Sequence, residues 1–165
     1  MEALDAVLRA REMLMDVTPL RRDCGGVCGA ACCACDEDGQ GGMLLFPGED
    51  ALYDPLPPGF SITRDDAVMP GMKLLTCAGR CDRSLRPLAC RMFPLTPVLT
   101  EDGRLRVRVD PRSFAVCPLS EYGVRGMDRA FGQTVLESAR ILNQCPEHRA
   151  YFQALTAYFE RLRTW

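Results

Sequence analysis

The sequence predicts a small α+β fold: one loop-rich domain in which short antiparallel strands and flanking helices border a cysteine-lined, metal-binding centre. Three observations predict it. Helical periodicity marks both ends of the chain, alternating apolar residues mark a hairpin near residues 97–109, and ten cysteines crowd the stretches between. A chain of 165 residues suits a single domain with a real hydrophobic core.

Residues 1–17 predict the N-terminal helix, with Leu4, Val7, Leu8 and Leu14 on one face and charged residues between them. Proline disfavours helix at the residue before it, so Val17-Thr18-Pro19 ends the element. From Cys24 to Cys35 (CGGVCGAACCAC) five of twelve residues are cysteine and three are glycine, a composition that wraps around something rather than packing by volume. A loop with at most a short helical turn is expected there.

Residues 36–75 read as turns joining short strands at 43–46 and 60–63, punctuated by Pro-Gly-Glu-Asp and Leu-Pro-Pro-Gly. The clearest β signal is Pro97-Val98-Leu99-Thr100 and Arg104–Val109 flanking Glu101-Asp102-Gly103. It predicts a hairpin with Leu105, Val107 and Val109 on one face and a solvated arginine row on the other. Residues 126–164 predict a helical pair. The first helix carries Met127, Phe131, Val135, Ala139 and Leu142; Cys145-Pro146-Glu147 starts the second, which carries Phe152, Leu155, Phe159 and Leu162. A short connection predicts that the two pack antiparallel on core-forming stripes.

Composition excludes several classes. A formal charge of −2 leaves no electrostatic footprint for nucleic acid or an anionic membrane surface, so neither partner is expected. Lys73 is the only lysine, which leaves one candidate for Schiff-base chemistry. Residues 1–20 lack the ordered regions of a signal peptide, and no apolar run reaches membrane-spanning length, so a cytoplasmic protein is expected. In a reducing compartment, clustered thiols point to metal or redox chemistry rather than permanent disulfides.

The cysteines fall into two dense groups, Cys24, Cys28, Cys32, Cys33 and Cys35, then Cys77, Cys81 and Cys90, with Cys117 beyond. Thiolates this close repel one another unless a cation neutralises them. These nine are the candidate metal ligands, and the metal ion is the expected partner. Zinc and iron both accept all-thiolate shells, so the residues leave open two mononuclear sites or one iron–sulfur cluster, such as a four-iron cluster, with additional ligands. His148 is the only histidine, which excludes Cys2His2 sites and leaves Cys145 as the sole neighbour for a Cys–His pair. Isolated Cys145 reads as a small buried residue. Cys28-x3-Cys32-x2-Cys35 matches the loop of radical S-adenosylmethionine enzymes, but the alternating strand–helix units that such chemistry requires are missing from the pattern.

The run from Cys81 to Pro94 (CDRSLRPLACRMFP) is more specific: two cysteines bracket Arg-Pro and the segment closes on Cys-Arg-x-Phe-Pro. With Cys28-Gly29 and the adjacent Cys32-Cys33, it resembles the YkgJ-type cysteine-cluster family of zinc- or iron-chelating domains across residues 24–118. The second half matches that family's spacing without a gap; the first half is one residue longer in each interval. The resemblance implies that Cys24, Cys28, Cys32, Cys33, Cys81 and Cys90 are ligands, with Cys77 at a place where such proteins often carry one. Flagellin lysine-N-methylases look similar over the same domain, although no glycine-rich nucleotide fingerprint is present here. Arg80, Arg86 and Arg91 stand near the thiolates in sequence, where guanidinium groups can neutralise charge or donate to sulfur.

The expected activity is metal binding. Three alternatives stay open: a metal-dependent modifying enzyme or iron–sulfur redox protein, an interaction module with a structural zinc, and a thiol–disulfide switch at Cys32-Cys33-x-Cys35.

Overall fold

A computed structural model of the chain describes residues 1–34, 41–77, 79 and 81–163. Five α-helices and five strands are present among them: α1 (Ala3–Met13), α2 (Gly25–Cys28), β1 (Met43–Leu44), β2 (Phe60–Asp65), β3 (Met72–Cys77), α3 (Leu88–Met92), β4 (Leu95–Leu99), β5 (Leu105–Val109), α4 (Arg129–Leu142) and α5 (Pro146–Arg163). Short 3-10 turns join several of them. The α+β class with short antiparallel strands is what the sequence predicted.

α1 is shorter than residues 1–17, and its buried face keeps Val7 and Leu14 of the predicted stripe but not Leu8. Ala6, Val7 and Ala10 are buried with Leu14 just beyond the helix, whereas Leu8 is exposed. Small alanines on this face let α4 pack closely against it. Arg83 closes the helix end by donating to the carbonyls of Leu14 and Val17, at 3.2 and 3.0 Å, and to that of Met15.

Two antiparallel sheets follow. β3 is the centre of the first, with β1 on one side and β2 on the other, in a register that sets Phe60 opposite Cys77 and Leu44 opposite Leu74. Gly42 leads into β1 at φ +110°, where a Cβ would come within 2.5 Å of the Leu75 carbonyl oxygen, so only glycine fits. The second sheet is the predicted hairpin, β4–β5, with Leu105, Val107 and Val109 half-buried and Arg106 and Arg108 exposed.

All five residues of β4 are buried. The predicted pair of C-terminal helices is present as α4 and α5, but their main contacts lie elsewhere: α5 lies across β4, and α4 lies against α1 and the hairpin. The Leu99 N–H donates to Thr156 Oγ of α5 at 3.0 Å. Met127, Phe131, Val135, Ala139 and Leu142 are buried as predicted, and Asp128 caps α4 by accepting from the Ala130 N–H at 2.8 Å. On α5, Phe152, Leu155 and Phe159 are buried but Leu162 is exposed. Phe46 packs its ring against Tyr151 at 5.1 Å and Phe152 at 6.1 Å, tying the segment after β1 to α5.

Candidate metal centre

The cysteines arrive from four segments. α2 and the following 3-10 turn (Ala31–Cys33) carry Cys24, Cys28, Cys32 and Cys33 on the loop-with-a-turn that the composition predicted. Gly29 and Ala30 both adopt left-handed backbone, at φ 64° and 59°, and reverse the chain between Cys28 and Cys32. For an alanine that conformation costs roughly 1–2 kcal/mol, a strain that other contacts of the loop must hold. β3 ends on Cys77. Cys81 and Cys90 bracket a 3-10 turn (Arg83–Leu85) and the start of α3, and Cys117 precedes Pro118 in another short turn.

Eight of the nine candidate ligands therefore fall among the described residues, and all eight line two adjoining cavities. Cys32, Cys33, Cys77, Cys81 and Cys90 line one of about 60 Å³, together with Arg86. Cys24, Cys28, Cys32 and Cys117 line the other, of about 20 Å³. Phe93 forms part of both walls. Cys35 and Arg80 lie outside the described residues. No disulfide joins any two of the described cysteines. Cys32 is exposed and the other seven are half-buried. As they stand, no three Cys, His, Asp or Glu side chains among the described residues converge closely enough to hold a metal ion together.

The electrostatics are those of thiols that crowd one another. A hydrogen bond with Cys33 and then burial push the Cys32 thiol up, and the charges of Cys33, Cys24 and Cys28 add to this. Burial and then Cys33 and Cys81 raise Cys90, while burial, Asp23, Cys28 and Cys117 raise Cys24. Cys81 is raised by burial and by Cys77 and Cys33, against the opposing hydrogen bond from Arg86. Arg86 feels the reciprocal effect. Burial works to lower it, but the hydrogen bond to Cys81 and the charges of Cys81, Cys33 and Cys90 hold it above its ordinary value.

Arg86 thus stands where the sequence reading put it, beside sulfur. Arg91 does not. Its guanidinium is buried and donates to the carbonyls of Arg86, Arg11, Arg83 and Ser84 at 2.9–3.1 Å. Burial and then the neighbouring Arg11 and Arg83 lower it to about 10. Its work is to fold the backbone between Cys81 and Cys90.

Glu49 carries out a second part of that work and was invisible in the sequence, where it sits in a run of turn residues. It is fully buried, accepts the Leu88 N–H at 2.7 Å and the Phe46 N–H at 3.1 Å, and pairs with Arg11 at 2.9 Å. Arg11 also donates to the Ser84 carbonyl at 2.8 Å, and the Tyr53 hydroxyl donates to that of Leu85 at 2.9 Å. α1 and the 3-10 turn at Glu49–Tyr53 thereby clasp the cysteine-bearing segment. On the opposite side the Cys117 N–H donates to the Ser113 carbonyl at 2.7 Å, and the buried hydroxyls of Ser113 and Ser120 meet at 2.6 Å.

Cys145 and His148 do not form a pair. Cys145 is buried and donates to Glu147 at 2.7 Å, while His148 Nε2 meets the Ala3 carbonyl at 2.9 Å. Lys73 is exposed on β3. A hollow of about 760 Å³ between the hairpin and α5 is lined by no thiol, and its Thr, Arg and acidic side chains form no cluster of convergent chemistry.

No helix among the described residues is long and apolar enough to cross a membrane. Comparison with family models, with characterised proteins and with solved structures gave no match to this chain.

Proposed function

We propose that the chain is a metal-binding protein that holds zinc or iron, the latter as an ion or an iron–sulfur cluster, through clustered cysteine thiolates in the cytoplasm. One observation carries this reading: eight cysteines from four separate segments line two adjoining cavities with no disulfide among them. Neutral thiols have little reason to be gathered this way, and thiolates cannot be gathered without positive charge. A soft cation supplies that charge. Cys24, Cys28, Cys32, Cys33, Cys77, Cys81, Cys90 and Cys117 would hold it, and Arg86 would donate to the sulfur of Cys81 as a tuning partner.

The Cys81–Pro94 segment fits the same reading and favours membership in the YkgJ-type cysteine-cluster family. Arg91 within this segment and Glu49 from outside it both spend hydrogen bonds on its backbone, which suits a loop built to present two sulfurs. When bound, the metal would neutralise the thiolates and fix the loops that carry them, with a structural, catalytic or redox role set by whether a coordination position stays open.

Chelation tests the proposal. Under reducing conditions a strong chelator is expected to lower the thermal midpoint of the purified protein, with recovery on adding metal back, because a ligand that binds only the folded state stabilises it. An unchanged midpoint on removing and restoring metal would count against it.

A further inference from the structure

The geometry points to two separate four-thiolate sites, each taking one soft cation: Cys24, Cys28, Cys32 and Cys117 around the first, and Cys33, Cys77, Cys81 and Cys90 around the second. This rests on the metal-binding reading above and goes further by dividing the ligands.

The cavities make the division. Cys24, Cys28 and Cys117 line only the smaller one, and Cys33, Cys77, Cys81 and Cys90 line only the larger. Phe93 belongs to both linings, so the two cavities meet at this residue. Cys32 lines both, but its charged neighbours decide its side. Apart from adjacent Cys33, they are Cys24 and Cys28, whereas Cys33 acts on Cys81 and Cys90. Local geometry agrees. Cys32 and Cys33 are successive residues of a 3-10 turn, whose three residues per turn send consecutive side chains about 120° apart. The pair, whose thiols are hydrogen-bonded to each other as they stand, would thus supply one sulfur to each side. With Cys32 assigned to the smaller cavity each set holds four thiols, the number that closes a tetrahedral shell. Cys35 is needed by neither.

Size supports a single ion in the smaller cavity. A space of roughly 10–15 Å³ admits one water-sized sphere. The smaller cavity, about 20 Å³, has room for one ion and none for a cubane of four irons and four sulfides. Charge differs too. Arg86 lines the larger cavity, where its guanidinium offsets part of the excess negative charge of four thiolates on a divalent cation.

The test is metal stoichiometry. Reduced, metal-free protein is titrated with cobalt(II), followed by its thiolate absorption, and then with zinc. Saturation at two equivalents per chain is expected. Saturation at one equivalent would overturn the division while leaving the metal-binding reading intact, and absence of any thiolate absorption would overturn both. C117S and C81S extend the test. Each is expected to bind one equivalent, and the double variant none. Loss of both equivalents in either single variant that still folds by circular dichroism would show one shared centre and refute the proposal.

Discussion

The carboxylate of Glu49 accepts the backbone N–H of Leu88 at 2.7 Å, two residues before Cys90, and this bond anchors the cysteine-bearing segment to the turn ahead of β2. Burial pushes the Glu49 carboxyl above its ordinary value, against the pull of the Leu88 N–H, Arg11 and the Phe46 N–H. Glu49→Ala would leave Arg11 half-buried without its partner and two N–H groups unmatched. Breaking a buried pair from one side costs about 3–5 kcal/mol. Urea unfolding of E49A measures that loss, and Glu49→Gln, which keeps an acceptor for Leu88, is expected to recover part of it. A loss under 1 kcal/mol in E49A would contradict the anchoring role.

In the proposed centre Arg86 would act as a tuning partner of the thiolates rather than as a ligand. Removing a hydrogen-bonding partner of a metal ligand weakens binding by about ten- to a hundredfold. Arg86→Ala is therefore expected to lower metal affinity by that factor in chelator competition while binding the same number of ions. An unchanged affinity would show that Arg86 does not act on the bound thiolates.

His148 makes stability fall in mild acid. Burial is the main cause that lowers its pKa, outweighing the Ala3 carbonyl and Glu147. Its Nδ1 has no partner, so a second ring proton would have no acceptor. The unfolded chain takes that proton more readily, at the ordinary value of about 6.5. The His148 contribution is thus present above pH 6.5 and is lost as pH falls below it, with a slope of at most about 1.4 kcal/mol per pH unit. His148→Gln, compared with the parent in the same metal state so that thiolate protonation cancels, is expected to flatten the dependence between pH 6.5 and 5. Parallel curves would contradict this.

Cys145 belongs to the core. It is buried beside α5, and its S–H donates to Glu147. Cys145→Ala is expected to cost about 1 kcal/mol through that hydrogen bond and to leave metal content unchanged. Loss of metal in C145A would reassign it to the centre.

What the sequence made legible is what local pattern controls. The alternation of Leu105, Val107 and Val109 with Arg106 and Arg108 marks a half-buried strand, and the 3.6-residue stripe from Phe131 to Leu142 marks α4. β3 was harder. Met72-Lys73-Leu74-Leu75-Thr76-Cys77 does not alternate strictly, because it is the central strand and its pairing with β1 and β2 is non-local. The two C-terminal helices were legible but their main neighbour was not: fully buried β4 lies against both α4 and α5, a non-local contact that local periodicity does not carry. At the site, the cysteine spacing gave the ligand candidates, but their division into two cavities depends on where α2, β3, α3 and the Cys117 turn meet. Arg91 looked like a thiolate partner from its place beside Cys90, yet its guanidinium turns back to four carbonyls. Glu49 gave no signal, because a buried carboxylate and a turn carboxylate look alike in sequence.

The most direct test of metal binding is elemental analysis of protein purified without oxygen, combined with a thiol titration and an absorption spectrum. Stoichiometric zinc, or iron with a visible band that bleaches on reduction, is expected, with the clustered thiols protected from reagent until metal is removed. A folded, metal-free preparation in which all ten thiols titrate at once would contradict it.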